Sequence, residues 1–278
     1  MIRSAILWLM MLAYPLFSGP LYWESVGGGA DAKEVESIPD MEKRVFELAN
    51  QERAKAGVPP LKWNNNLALA ARLHSNEMSR HNHLSHQFSD EAELGARLAQ
   101  QGGRFDANAE NVGYAGSADE LHSGWMNSPP HRSNMLNPRY DQMGVGITRV
   151  GDRLYGTQDL THAVAKFSSE QGADEVSNAF KDVRKSARLQ PVRVVPSSSL
   201  QNIACSDQPS AKIGVSGNPN FVSHRYIVNY TTSDLASVPS NLRQRLVDPS
   251  VKTVEVGVCG RQDPAHGFSG YRVIAVLY

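Results

Sequence analysis

Cysteine is nearly absent from this 278-residue chain: two occur, Cys205 and Cys259, both in the C-terminal third. That excludes a small disulfide-dense scaffold, and neither has a histidine beside it in an arrangement that would activate a thiolate nucleophile. Net charge is absent as well, 28 Lys and Arg standing against 28 Asp and Glu. Binding to a phosphate backbone is driven by a basic excess, so nucleic acid is not an expected partner. No His-Glu-x-x-His pair sets two metal ligands on one helix face, and no Gly-x-Ser-x-Gly elbow presents a serine. Long apolar runs are missing beyond residues 5–17, which fall short of the roughly 20 residues a spanning helix needs.

What that run does have is the form of an export signal: Arg3 precedes it, and Ser18, Gly19 and Pro20 follow. Leu21, Tyr22 and Trp23 extend it beyond the break, so an uncleaved anchor is the alternative, and Ala30-Asp31-Ala32 has the small-x-small form of a cleavage site. Residues 1–32 are therefore expected to be a signal peptide or N-terminal anchor, with the protein secreted, periplasmic or extracellular. Membrane contact is expected only through this segment. In such a compartment Cys205 and Cys259 form a disulfide, the alternative being two unrelated buried thiols.

From residue 41 onward the pattern is that of a folded unit, in a chain with 41% hydrophobic and 20% charged residues. Residues 41–56 set Val45, Leu48 and Ala49 against Glu42, Lys43, Arg44, Glu52 and Lys55, and Gly57 and Pro59 stop the helix. Residues 66–81 repeat Leu67, Ala70, Ala71, His74 and Met78 at helical spacing, which reads His74 as a hydrogen-bonded core histidine. A polar loop with Ser85, His86 and Gln87 precedes a helix over 91–101 that Gly102 and Gly103 end. Residues 109–115 read as a strand, and 118–127 as a helix with Ser117 as its cap and Ser128-Pro129-Pro130 as its end. Strands over 143–150 and 154–160 flank Gly151-Asp152, a hairpin signal. Helices alternating with a small hairpin-rich sheet predict α+β layering.

Four pieces carry a family likeness: Asn50-Gln51-Glu52-Arg53 with Pro60-Leu61 and Trp63; Leu84-Ser85-His86; Ala109-Glu110-Asn111-Val112; and the run from Gly124-Trp125 through Pro130-His131-Arg132 to Asn137-Pro138, closed by Gly144-Val145-Gly146-Ile147 and Thr157-Gln158-Asp159. In this order they resemble the bacterial branch of the CAP superfamily, which includes plant pathogenesis-related, cysteine-rich secretory and SCP-like secreted proteins. The resemblance covers residues 41–168 and implies an α-β-α sandwich with a cleft lined, in animal and plant members, by two histidines and two glutamates. Carried over, the first histidine is His86 and the first glutamate Glu110. The second glutamate falls on Ser128 and the second histidine near Tyr155, two departures from the pattern, and His131 is placed to supply the second imidazole.

On their own chemistry, His86, His131 and Glu110 would make a three-ligand site for zinc with an open fourth position. His131 would start a helical turn after two prolines, where the peptide dipoles disfavour imidazolium. The alternative is a hydrogen-bonded network in which Glu110 orients His86. The expected function is an extracytoplasmic binding protein whose cleft takes a metal, lipid, cell-envelope component or protein partner. The competing expectation is a metal-assisted hydrolase of peptide or envelope substrates with Glu110 as general base.

Residues 169–177 are polar and Ser-rich and read as a linker. Beyond it, residues 182–192 echo 51–61, and Val256-Gly257-Val258 echoes Val145-Gly146-Ile147. Residues 178–278 are thus expected to be a smaller α+β region, a degenerate second CAP-like copy without counterparts of His86, Glu110 and His131.

Overall fold

The structure, a computed structural model, describes residues 36–206 and 226–278. The N-terminal segment 1–32 lies outside the described residues. Among the described residues no helix is long and apolar enough to cross a membrane.

The first half runs α1 (Ile38–Lys55), β1 (Lys62–Trp63), α2 (Asn65–His81), α3 (Leu94–Gln100), β2 (Phe105–Ala115), α4 (Ala118–Asn127), α5 (Pro129–Met135), β3 (Gln142–Val150) and β4 (Arg153–Ala163). Its sheet has the order β1-β3-β4-β2, with β1 parallel to β3 and the other pairs antiparallel. Side chains alternate along a strand, so each face receives its own helices. Met143, Val145 and Ile147 of β3 pack with Met41 and Val45 of α1 and Leu121 and Trp125 of α4. On the opposite face Gly144 and Gly146 lie against the α2 backbone at Leu67 and Arg72. The result is the expected α-β-α sandwich.

Local chemistry sets the element ends. Ser37 caps α1, which begins at Ile38, three residues before the expected start, and Asn64 caps α2 through the amides of Asn66 and Leu67. Ser117 caps α4 as expected. The Pro129-Pro130 pair that ends α4 also begins α5, because proline is pre-set for the first helical turn and has no N–H to leave unpaired there. Helix α3 is shorter than expected, beginning at Leu94.

The expected linker is a correction. Residues 169–177 are the first half of helix α6 (Ser169–Ser186), capped reciprocally by Ser168 and Gln171. Glu170, Gln171 and Asp174 of this stretch face outward, while Ala173, Val176 and Phe180 enter the core. After α6 come β5 (Arg193–Pro196), α7 (Ser198–Cys205), β6 (Tyr226–Thr232), α8 (Ser240–Leu246), β7 (Thr253–Gln262) and β8 (Ser269–Leu277). The second sheet has the order β5-β7-β8-β6, again with a parallel first pair and antiparallel others. This is the topology of the first sheet, with Gly257 against the α7 backbone at Leu200 where Gly146 meets α2. The disulfide joins Cys205 at the end of α7 to Cys259 on β7.

Candidate functional site

Strand β2 lies at the edge of the first sheet and carries Glu110 on its α2 face, opposite Asp159 of β4. Glu110 is buried and its two oxygens are both engaged. Oε1 meets His86 Nδ1 at 2.8 Å, and Oε2 accepts from Arg97 Nη2 at 2.7 Å. Arg97 of α3 also donates to Glu91 Oε1 at 2.8 Å and to the His86 carbonyl at 3.2 Å. Glu91 in turn meets His74 Nδ1 at 2.8 Å, and His74 Nε2 meets the Ser85 carbonyl at 2.8 Å. A chain His74, Glu91, Arg97, Glu110, His86 thus ties α2 and α3 to the loop that carries His86.

The ends of this chain differ. His74 is buried, whereas the His86 side chain is 60% exposed, and its Nε2 makes no hydrogen bond among the described residues. The bond to Glu110, opposed by partial burial, holds the His86 ring above its ordinary pKa. Behind Glu110, burial and then the Glu110 charge push the Asp159 carboxyl far up, against the pull of Arg97. Asp159 Oδ1 has no hydrogen-bond partner among the described residues.

The other expected site residues go elsewhere. Asn111, next to Glu110 on β2 and so on the opposite face, donates to the His131 carbonyl at 3.1 Å. Helix α5 therefore belongs to the α1/α4 layer. Burial, and after it the charge of His86, hold the His131 ring below its ordinary pKa. The two rings do not converge with Glu110 on one point: among the described residues no three His, Cys, Asp or Glu side chains are grouped to hold a metal ion. Each Glu110 oxygen already carries a partner, an imidazole on Oε1 and a guanidinium on Oε2. Tyr155 is buried four residues along β4 from Asp159, about 13 Å at strand spacing, with its hydroxyl on Asn82 Oδ1. Ser128 is the residue before α5 and makes no capping bond. Ser85 donates to the Gln87 carbonyl at 2.6 Å and is not placed as a nucleophile.

Arg97, Glu91 and Asp159 complete the site and were not singled out in the sequence. Asp159 sits in the quoted Thr157-Gln158-Asp159 motif, where period-2 register against Glu110 was the available signal.

The cleft in front of His86 has a volume of about 420 Å³ and is lined by Gln87, Glu93, Leu94, Asn108 and Glu110, with His266 and Phe268 from the second half. The side chains that form this site have no counterparts among the described residues of the second half. Matching the β3–β4 and β7–β8 registers aligns Met143·Leu160 with Val254·Leu277, which puts Val276 at the place of Asp159 and Ile227 at that of Glu110. The unbroken run into β7 likewise puts Leu242 of α8 at the place of His131.

Helices on both faces of a mixed four-stranded sheet, with a histidine–carboxylate pair at its edge strand, define an α-β-α sandwich of the expected class. Residues 46–167 match the family model described as CAP, cysteine-rich secretory protein family, and this part of the chain belongs to the CAP superfamily, in its bacterial branch. The chain is 34% identical over 116 residues to the uncharacterized protein YkwD of Bacillus subtilis, covering 41% of this chain and 45% of the relative. It is 34% identical over 120 residues to the uncharacterized membrane protein YlbC of the same organism, covering 43% and 34%. The chain thus spans less than half the length of either curated relative. Among solved structures, an extracellular SCP-domain protein of Bacillus anthracis is 30% identical with a TM-score of 0.40, covering 45% of this chain and 42% of that one.

Proposed function

We propose that this protein is an extracytoplasmic CAP-domain binding module whose cleft takes a hydrogen-bond-accepting or anionic group of a cell-envelope component or partner on His86 Nε2. The observation that carries this reading is the engagement of Glu110. With both its oxygens occupied, Glu110 holds His86 by Nδ1 and leaves the exposed Nε2 edge of the ring to meet a ligand. The disulfide and the export-like N-terminal sequence support a site of action outside the cytoplasm. A hydrolytic role finds less support, since the would-be base is tied to Arg97 and His86 and, among the described residues, the Ser85 hydroxyl beside His86 is bonded to the Gln87 carbonyl.

The test is titration of the His86 ring by NMR with acetate as the anion probe, in wild type and His86→Gln. Because the hydrogen bond to Glu110 raises the folded-state pKa of His86, the imidazolium persists to higher pH than in an unperturbed histidine. Acetate is expected to bind below that raised value, to weaken as pH rises through it, and not to bind the Gln variant specifically. Binding independent of both pH and His86 would overturn the reading, as would Glu110-dependent turnover on a peptide, ester and peptidoglycan panel.

A further inference from the structure

The β7–β8 turn of the second half does not end in solvent. His266 and Phe268 line the same cleft as His86 and Glu110, which sit more than 150 residues earlier in the chain. The turn is held there by backbone contact. A Cβ on Gly95 of α3 would run into the His266 carbonyl oxygen, and a Cβ on Gly267, whose φ is +72°, into the Gly95 carbonyl. Gln262 Nε2 adds a 3.3 Å bond to the Gly103 carbonyl.

The turn is also built to present its rings. Asp263 Oδ1 accepts the amides of Ala265 and His266 at 2.8 and 3.1 Å, and Oδ2 meets His266 Nδ1 at 3.3 Å. The His266 ring stacks along Phe268 with centroids 6.5 Å apart, and Phe268 meets the buried Phe105 edge-on at 5.7 Å. Yet Phe268 stays 39% exposed, on the cleft side. A ring needed only to join the two halves would be covered by them.

We infer that the cleft is bipartite and selects a singly charged carboxylate carried on a flat or apolar body, the carboxylate at His86 and the body against Phe268 and His266 of the second half. This rests on the anion-binding reading of His86 and adds the ligand class and the residues that set it. A single negative charge is favoured because the cleft wall also carries Glu93 and Glu110, whose carboxylates repel a dianion such as phosphate. The apolar body is favoured because Leu94 and the exposed ring of Phe268 line the same cleft as the imidazole. The role also accounts for a second copy that has lost its own polar site. With Ile227, Leu242 and Val276 at the site positions, the second half contributes to binding through its turn.

The test compares acetate with benzoate on the full chain, read by NMR at the His86 ring and by NOEs from the benzoate protons. Benzoate is expected to bind about fivefold tighter than acetate, with NOEs to both His86 and Phe268, and Phe268→Ala is expected to reduce benzoate to the acetate affinity. Phe268→Leu, which keeps apolar volume over Phe105, is expected to fall between. Phosphate is expected to bind more weakly than either. If both carboxylates shift His86 equally, or if the benzoate advantage survives in Phe268→Ala, the bipartite cleft is overturned while the His86 reading stands. If neither shifts His86, that reading fails and takes this inference with it.

Discussion

Arg53 and Arg184, 131 positions apart in the sequence, hold their two halves together with the same set of bonds. Arg53 donates from Nε to the Pro59 carbonyl at 2.7 Å and from Nη1 to Met135 and Asn137 at 2.8 and 3.0 Å. Arg184 donates from Nε to Gln190 at 2.8 Å and from Nη1 to Leu246 and Asp248 at 2.9 and 2.8 Å. In each case the first acceptor lies six residues on, and the other two are the carbonyls at the end of the short helix before the parallel-paired strand. Both guanidiniums are buried. The fork satisfies helix-end carbonyls that are buried or partly buried, and a flexible ammonium could not meet all of them at once.

Arg53→Lys and Arg184→Lys are therefore each expected to destabilise the fold by roughly 3 kcal/mol. Arg53→Lys should cost more, because Arg53 makes a further 2.9 Å bond from Nη2 to the Tyr140 carbonyl. Chemical denaturation of the two variants checks this. Neutral behaviour of Arg184→Lys would show that the second clamp is a geometric relic with no part in stability.

The same comparison shows what could be read in the sequence. The echo of 51–61 in 182–192 contains Arg53 over Arg184, and the matching sheets bear out a second α+β region. Helix α4 and the β3–β4 hairpin followed from capping and turn chemistry, which are local. The supposed linker misled because a long amphipathic helix, read along the sequence, shows its solvent-facing residues as a polar tract. At the site, His86 and Glu110 were visible as motif residues. That His131 would lie in the other layer depended on which face of an edge strand each neighbour takes, and the entry of Phe268 from the second half depended on how two sheets pack. Neither is encoded in local spacing.

Asp159 gives a prediction with a definite sign. Its folded-state pKa is raised by burial first and by Glu110 second, so the native state keeps a proton that the unfolded chain releases above about 3.9. Unfolding stability then falls as pH rises between the unfolded and folded values, by up to about 1.4 kcal/mol per pH unit from this group. Asp159→Asn carries no such proton and should show a flatter pH dependence, so that its stability relative to wild type improves from pH 4.5 to pH 7. Guanidinium unfolding at the two pH values decides it. Parallel slopes for wild type and variant would mean that Asp159 is ionised in the fold.

Two glycine-to-alanine changes separate the intrinsic preference of a helix from the seating of the second half. Gly124 lies in α4, where an added Cβ meets nothing within 4 Å, so Gly124→Ala should stabilise by about 1 kcal/mol through helix propensity alone. Gly95 lies in α3, where propensity favours alanine equally, but its Cβ would strike the His266 carbonyl oxygen and come to 3.2 Å from Asn108 Nδ2. Gly95→Ala is expected to lower the melting temperature and to shift the NMR signals of Gly267 and Phe268, because α3 and the β7–β8 turn cannot both keep their places. Arg97, two residues further along α3, bonds both Glu110 and the His86 carbonyl, so the His86 titration is expected to move with the displaced helix. If Gly95→Ala instead stabilises the protein as Gly124→Ala does, and leaves the turn signals unmoved, the turn does not rest on α3 and the cleft loses its second wall.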